Sequence, residues 1–426
     1  MPELGNVEQV VTEAEPENTR KPRSAYLVTC YAFAVAITPE FTFLGIPKVR
    51  LTDLLLPLLY LSYVGSIGSS RGSRNKSVFQ GLCVSLLAWD LGALFLWGQA
   101  KITPGIFYLA KRGIYFLVAL FCSACVNNKR AWNQVVRMLV FASPILNCSV
   151  LLEMRVNQAA GGAWGSSEGM RASGIIAQQE TSTALFIVIV TCLSLGAWDA
   201  YKDLFWKLGT SLTLLTGCCA IFATGSRGGL ACAVLSVVIL VGVRPQRALA
   251  VGLLGILVGV VAWNFTPDVL RSRLAGIFPE TQATLNALAN GREYMPDAGG
   301  SSIAGRALTA ENFFSVIMPQ AGLMGMGAGW KNLGSIDNFY LTEWMYHGLI
   351  GLGLFLQLQY ALVVFCLKSA RDAKDPVEKG VASGVATAVL VMSASGVHGD
   401  TFYLIRPMEC LALLVGLVVA RRSIRS

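Results

Sequence analysis

The chain has 426 residues, 54% of them hydrophobic and only 14% charged, against about a quarter charged in ordinary soluble domains. With a mean hydropathy of +0.57, no water-soluble fold has interior enough to hide that much apolar side chain, so the solvent it is built for is lipid. Its two histidines argue against a multi-histidine metal centre, and the composition excludes a collagen, a disulfide-stapled secreted module and a disordered chain. The net charge of +9 invites a nucleic-acid reading until the cations are placed along the chain. They mark one side of a membrane, so no nucleic-acid partner is expected.

Residues 1–24 read as an acidic, polar, disordered tail on the cytoplasmic side. A basic cluster, an apolar run and Ala34-Val35-Ala36 resemble a cleaved signal peptide. The apolar run is short for one and the preceding tail long, so an uncleaved first helix is expected. About twelve stretches near 20 apolar residues follow, the length of a membrane helix: 25–44, 51–68, 78–97, 106–126, 132–152, 179–198, 205–224, 228–243, 248–265, 340–366, 380–396 and 402–420. Each must be helical, because lipid offers no partner for an unpaired backbone N–H or C=O. The fold class is therefore all-α and polytopic. Nine spans fall within 25–265, an external loop domain within 266–339, and three spans with the C-terminus within 340–426.

Lys and Arg in the short loops set the orientation. The N-terminal tail, alternate loops and the C-terminus carry Arg20, Lys21 and Arg23; Arg71, Arg74 and Lys76; Lys129 and Arg130; Lys202 and Lys207; Arg244 and Arg247; Lys368, Arg371, Lys374 and Lys379; and Arg421, Arg422 and Arg425. That is 19 of the 34 basic residues on one side. The opposite short loops hold Lys48, Arg50, Lys101, Arg155, Arg171 and Arg227. Both termini are expected to be cytoplasmic. Two outer segments are longer: 153–178, rich in Gly, and 266–338, polar with a helical stretch at 307–317. Long loops in compact proteins are usually functional, and the second is expected to form a partly helical cap. The eleven cysteines fall within spans, Cys148 near an outer end, and thiols there behave as small apolar residues. Neither a disulfide nor a metal is expected.

Ionisable groups in or beside the lipid layer are costly and mark candidate function: Asp90, Lys111, Arg112, Glu180, Arg227, Glu343, His347, His398, Asp400 and Arg406. Arg171 precedes the sixth span, Arg227 opens the eighth after a tight turn, and Asp337-Asn338 stands where the long loop re-enters the membrane. Arginines gathered at one external cavity would fit phosphate oxygens with their planar forks. A carboxylate or histidine nearby would take a proton from a hydroxyl. Plainer readings exist for each. Arg227 suits a snorkelling interfacial residue, Arg112 a partner for Asp90, Arg171 a solvated charge, and Asp337-Asn338 an N-cap. His347 suits a hydrogen-bonded structural role, and Gly348, Gly351 and Gly353 close helix packing. His398, in an external turn, is a further candidate base.

Three segments together resemble the O-antigen polymerase and O-antigen ligase family of bacterial membrane enzymes. They are Arg171-Ala172-Ser173-Gly174; Thr224-Gly225-Ser226-Arg227-Gly228-Gly229 leading into an apolar helix; and the long loop with Gly305-Arg306, Gly325-Met326-Gly327, Asp337-Asn338-Phe339-Tyr340-Leu341 and Gly348-Leu349-Ile350-Gly351. The resemblance covers roughly 171–365. It implies a metal-independent, cofactor-free, inverting glycosyltransferase of the bacterial inner membrane, acting on the periplasmic face. The donor would be an undecaprenyl-diphosphate-linked glycan and the acceptor a glycan or a lipid, alongside other polysaccharide-assembly proteins of the envelope. Arg171 and Arg227 would be counterparts of the family's pyrophosphate-binding arginines and Arg306 of a loop arginine, with Arg112 a further diphosphate contact. Ligases commonly carry His where Asp337 stands, which leans this chain towards a polymerase; the base lies open among Asp337, His347 and His398. A transporter of lipid-linked sugars or small solutes, and an assembly scaffold, are the alternatives of other classes.

Overall fold

The computed structural model describes residues 23–39, 41–43, 46–67, 74–95, 102–159, 171–176, 179–198, 200, 203–243, 255–257, 259–261, 263, 264, 266–276, 282, 286, 310–328 and 338–425. Twelve helices carry the described architecture: α1 Arg23–Ile37, α2 Leu51–Ile67, α3 Arg74–Phe95, α4 Ile102–Cys125, α5 Lys129–Ala159, α6 Glu180–Ala197, α7 Leu204–Ala223, α8 Arg227–Val243, the short α9 Asp268–Ala275, α10 Phe339–Asp372, α11 Pro376–Ser395 and α12 Ile405–Arg425. Among the described residues, six helical segments are long and apolar enough to cross a membrane, within α4, α5, α6, α7, α10 and from α11 through His398; those of α1, α2, α3 and α8 are apolar but shorter. The chain is a helical, membrane-embedded protein. The ninth expected span, 248–265, lies largely outside the described residues. The expected helical stretch at 307–317 is described from residue 310, with a π-helical turn Phe313–Ile317 and a last turn Met318–Ala321.

The first span is shorter than its apolar run. α1 stops at Ile37, and the chain makes a two-stranded antiparallel ribbon, Phe41–Phe43 against Ile46–Val49. Pro39 and Pro47 explain the break, since proline removes a helical donor and biases its predecessor towards extended backbone. Elsewhere caps set the boundaries. Asp203 accepts from Phe205 N–H at the start of α7, and Asp375 accepts from Val377 N–H just before Pro376 opens α11. Asn338 accepts from the N–H groups of Tyr340 and Leu341 at the start of α10. Each cap satisfies a donor that the first turn would otherwise strand.

α6 and α11 form the centre of the bundle and bury nearly every residue. In lipid, helix association gains little from apolar burial and depends on close packing. Glycine supplies that here: a Cβ at Gly380 would lie 2.5 Å from the Gly196 carbonyl oxygen, and one at Gly384 2.6 Å from that of Cys192. Around this pair pack α5, α7, α8, α10 and α12. Indole groups pin the seams, with Trp132 Nε1 donating to the Leu417 carbonyl at 2.9 Å and Trp206 Nε1 to the Ala197 carbonyl at 3.2 Å. Large apolar side chains such as Leu58, Leu61, Val84, Leu208, Val234 and Val238 point outward, the surface a lipid-facing helix presents.

Short contacts sort the loops into two ends. At one, Ser24 Oγ donates to the Cys125 carbonyl, Lys129 pairs with Asp375 at 2.7 Å, and Arg421 pairs with Glu378. These join the starts of α1, α5 and α11 to the ends of α4 and α12. At the other, Asn338 Nδ2 donates to the Val397 carbonyl at 2.8 Å, joining the start of α10 to the turn between α11 and α12. The α7–α8 turn and the segment before α6 meet that second end at a cavity.

Candidate functional site

The cavity holds about 190 Å³ and is lined by Arg171, Thr181, Leu185, Gly225, Ser226, Arg227, Gly228, Ser395, His398, Gly399 and Thr401. Three of the sequence candidates, Arg171, Arg227 and His398, thus come together from segments as much as 227 residues apart in the chain. All three side chains are partly exposed.

Each wall has a local cause. α7 ends at Thr224, and Gly225 takes φ +59°, the left-handed conformation that suits glycine, so the chain reverses in two residues and α8 opens at Arg227. Ser226 Oγ accepts from Gly229 N–H at 3.1 Å, capping α8. Gly229 has no room for a side chain, because a Cβ there would lie 2.5 Å from that of Ala184. α8 therefore seats tightly on α6 and brings Arg227 to the cavity rim. Gly228 leaves space for the His398 ring, whose Cδ2 would lie 3.4 Å from an added Cβ. Arg171 Nε donates to the Thr224 carbonyl at 3.3 Å and its Nη2 lies 3.3 Å from Glu180 Oε2. One arginine is thereby tied to the turn that carries the other. The N-terminus of α8 and two guanidinium groups around one space favour an anion, and a histidine beside them can hold or receive a proton.

Arg112 and His347 do not line this cavity. They meet in a second cluster inside the bundle, where Arg112 Nη1 donates to Asp90 Oδ2 at 2.7 Å and to Glu343 Oε1 at 3.0 Å, and Nη2 donates to Glu343 Oε2 at 2.5 Å. His347 Nδ1 lies 3.1 Å from Asp90 Oδ1. All four residues are buried. The Tyr403 hydroxyl donates to Glu343 Oε2 at 3.4 Å, and its ring packs edge-on against Tyr108 with centroids 4.9 Å apart. Both terminal guanidinium nitrogens of Arg112 are thus engaged by protein carboxylates, which leaves it poorly placed to take a diphosphate. This corrects the expectation that Arg112 faces the outer cavity: its position ten residues into α4 places it among carboxylates of α3 and α10. One ligand atom each from Asp90, Glu343 and His347 lies within 4.8 Å of the others, a metal-like spacing, but Arg112 already bridges the two carboxylates and supplies the positive charge there.

The cluster abuts a break in α10. Gly348 takes φ +70° inside the helix, and the segment after Ala321 docks on the backbone exposed there. Leu349 N–H donates to the Gly322 carbonyl, Ile350 N–H to that of Leu323, Met326 N–H to that of Met345 and Gly327 N–H to that of Tyr346. Irregular backbone in a membrane protein is tolerated where it is buried in protein in this way. Gly348 is thus a break, whereas Gly351 packs against His347 and Trp89, and Gly353 has open space around it. The expectation that all three serve helix packing holds for Gly351 alone.

Asp337 and Arg306 lie outside the described residues. Asn338 is the nearest described neighbour of Asp337, and its bond to Val397 seats that end of the loop one residue from His398. Two residues at the site escaped the sequence reading in their roles. Glu180 pairs with Arg171, and Glu153 on α5 grips the loop bearing it. An acidic residue at an outer span end, some twenty positions before an arginine motif, was the available signal. Compared with known proteins, the chain matches no family model, and no curated protein matches it.

Proposed function

We propose that the protein is a glycosyltransferase that polymerises or transfers glycan units from an undecaprenyl-diphosphate-linked donor at the outer face of a bacterial inner membrane. The bundle would cross that membrane about twelve times with both termini in the cytoplasm. The observation that supports this reading most is the shared cavity of Arg171, Arg227 and His398 at one end of the bundle. A diphosphate there would meet guanidinium donors held before the reaction begins, which is where electrostatic stabilisation of a leaving group is most effective. His398 would take the proton from an acceptor hydroxyl as its oxygen bonds the anomeric carbon. The bond from that carbon to the diphosphate breaks and undecaprenyl diphosphate leaves. Asp337, which precedes Asn338 in the chain, and His347 are the other candidate bases. The donor bond is already activated, and the sequence carries no Gly-Lys-Ser/Thr phosphate loop for ATP.

The test is direct. Purified protein in lipid nanodiscs is incubated with an undecaprenyl-diphosphate oligosaccharide and the products are sized, with Arg227→Ala and His398→Ala alongside. Longer glycans from the wild type, and about 10²–10³-fold less product from Arg227→Ala, are expected. A wild type that leaves the donor intact, or an Arg227→Ala protein of full activity, sinks the reading.

A transporter is the second reading, favoured by the broken helix beside buried ionisable groups, a pairing found in transporters. It predicts movement of the lipid-linked glycan across proteoliposomes with the glycosyl bond uncut.

A further inference from the structure

We infer that Glu153 is the positioning residue that aims Arg171 into the cavity, a role that rests on the proposed binding of a diphosphate there. Glu153 stands on α5 and does not line the cavity. Its Oε2 accepts two backbone N–H groups from the loop before α6, those of Ser173 at 3.0 Å and Gly174 at 2.5 Å. One carboxylate oxygen thereby closes the turn of Arg171-Ala172-Ser173-Gly174.

The rest of the turn is held as firmly. Ser149 Oγ accepts from Ile175 N–H at 2.9 Å, Asn157 Nδ2 donates to the Arg171 carbonyl at 3.3 Å, and Thr183 Oγ1 donates to the Ser173 carbonyl at 2.9 Å. Gly174 takes φ +70°, and a Cβ on it would lie 2.7 Å from Ser149 Oγ and from Val150 Cγ2. Three residues one helical turn apart on α5, Ser149, Glu153 and Asn157, thus form a single face that grips the loop. Among them Glu153 alone accepts two backbone N–H groups of the loop on one oxygen. With its backbone fixed on α5, Arg171 reaches the Thr224 carbonyl and Glu180. A guanidinium held before the ligand arrives binds it without an ordering cost. Glu153 acts through the loop and needs only an acceptor oxygen, so an amide can replace it. A base or a charge acting on the ligand could not be replaced so.

The test measures two things on full-length protein in nanodiscs: amide hydrogen exchange over residues 171–176, and the dissociation constant for undecaprenyl diphosphate. Wild type, Arg171→Ala, Glu153→Ala, Glu153→Gln and the Glu153→Ala/Arg171→Ala double variant are compared. Glu153→Ala is expected to speed exchange in the loop and to weaken binding about tenfold, the size of one ordinary hydrogen bond. Glu153→Gln should restore both. The double variant should bind no more weakly than Arg171→Ala alone, the non-additivity of residues acting through one another. Unchanged exchange in Glu153→Ala overturns the inference, as does a Glu153→Gln protein as weak as Glu153→Ala, or a double variant showing the product of both losses. A wild type that does not bind undecaprenyl diphosphate, or an Arg171→Ala protein that binds normally, instead removes the proposed function, while the exchange rates still decide whether Glu153 holds the loop.

Discussion

The protein sets two groups of arginines in opposite circumstances. At the cavity, Arg171 has, among the described residues, the Glu180 carboxylate beside its guanidinium, and Arg227 stands partly exposed at the start of a helix. Inside the bundle, Arg112 is buried and meets two carboxylates. The first arrangement places guanidinium groups on the wall of a cavity; the second encloses one among buried carboxylates. The same side chain thus suits binding in one place and structure in the other, and what separates them is burial: Arg112 lies buried among carboxylates, while Arg171 and Arg227 stand partly exposed on a cavity.

Replacement of Arg112 sharpens that contrast most. Arg112→Ala leaves Asp90 and Glu343 buried without their counter-charge, a change that costs about 3–5 kcal/mol. Thermal unfolding in detergent should show a much less stable protein. If the role is structural, a triple variant with Arg112→Leu, Asp90→Asn and Glu343→Gln should be the milder of the two, because it removes the charges together. Equal stability of wild type and Arg112→Ala would break the comparison. Arg227→Ala should do the reverse, leaving the unfolding temperature near that of the wild type while transfer falls about 10²–10³-fold, the usual loss for one preorganised charge-stabilising donor. The pair of measurements, stability and activity, is expected to separate the two arginines cleanly.

How far this was legible in the sequence follows from the range of the interactions. Lipid imposes helices on long apolar runs, so α4, α6, α7 and α11 could be read to within four residues, while α5 and α10 run on past their expected ends to Ala159 and Asp372. Turn chemistry is local too, and Thr224-Gly225-Ser226-Arg227 announced a tight turn with an arginine at its exit. The neighbours of an inward-facing side chain are not local. Nothing near Arg112 says that Glu343, 231 positions away, will meet its guanidinium. The proline-limited end of α1 was readable from Pro39 and Pro47 but was outweighed by the apolar run around them. Gly348 looked like a packing glycine because its φ depends on the docking of the 322–327 segment, again a distant partner.

That docking gives the next prediction. Gly348→Ala should destabilise the helix break, because the residue takes φ +70° and an added Cβ would overlap the Leu323 carbonyl. A strained left-handed residue alone costs about 1–3 kcal/mol, and displacement of the 322–327 segment adds to it. Gly353→Ala, in open space on the same helix, is the control and should unfold with the wild type. Similar losses from both would mean that the break is not what Gly348 provides.

The smallest effect lies at the opposite end, on Asp375. Burial pushes its carboxyl up, but the hydrogen bonds from Lys129 and Val377 N–H, with the nearby charges of Lys129 and Arg421, outweigh this and hold it below its ordinary 3.8. Lys129 Nζ lies 2.7 Å from Oδ2, and the lysine is more than half exposed. A carboxyl lowered on folding adds stability above its unfolded value and loses it as the pH falls through its folded one. Asp375→Asn keeps the cap on α11 and removes the charge, so at pH 7 it should cost under about 1 kcal/mol, as exposed ion pairs do. The gap between wild type and variant should narrow in high salt and close as the pH is lowered below 3.8. A gap that persists at low pH would show that the carboxylate's charge is not what Asp375 contributes, leaving the cap alone to hold the start of α11.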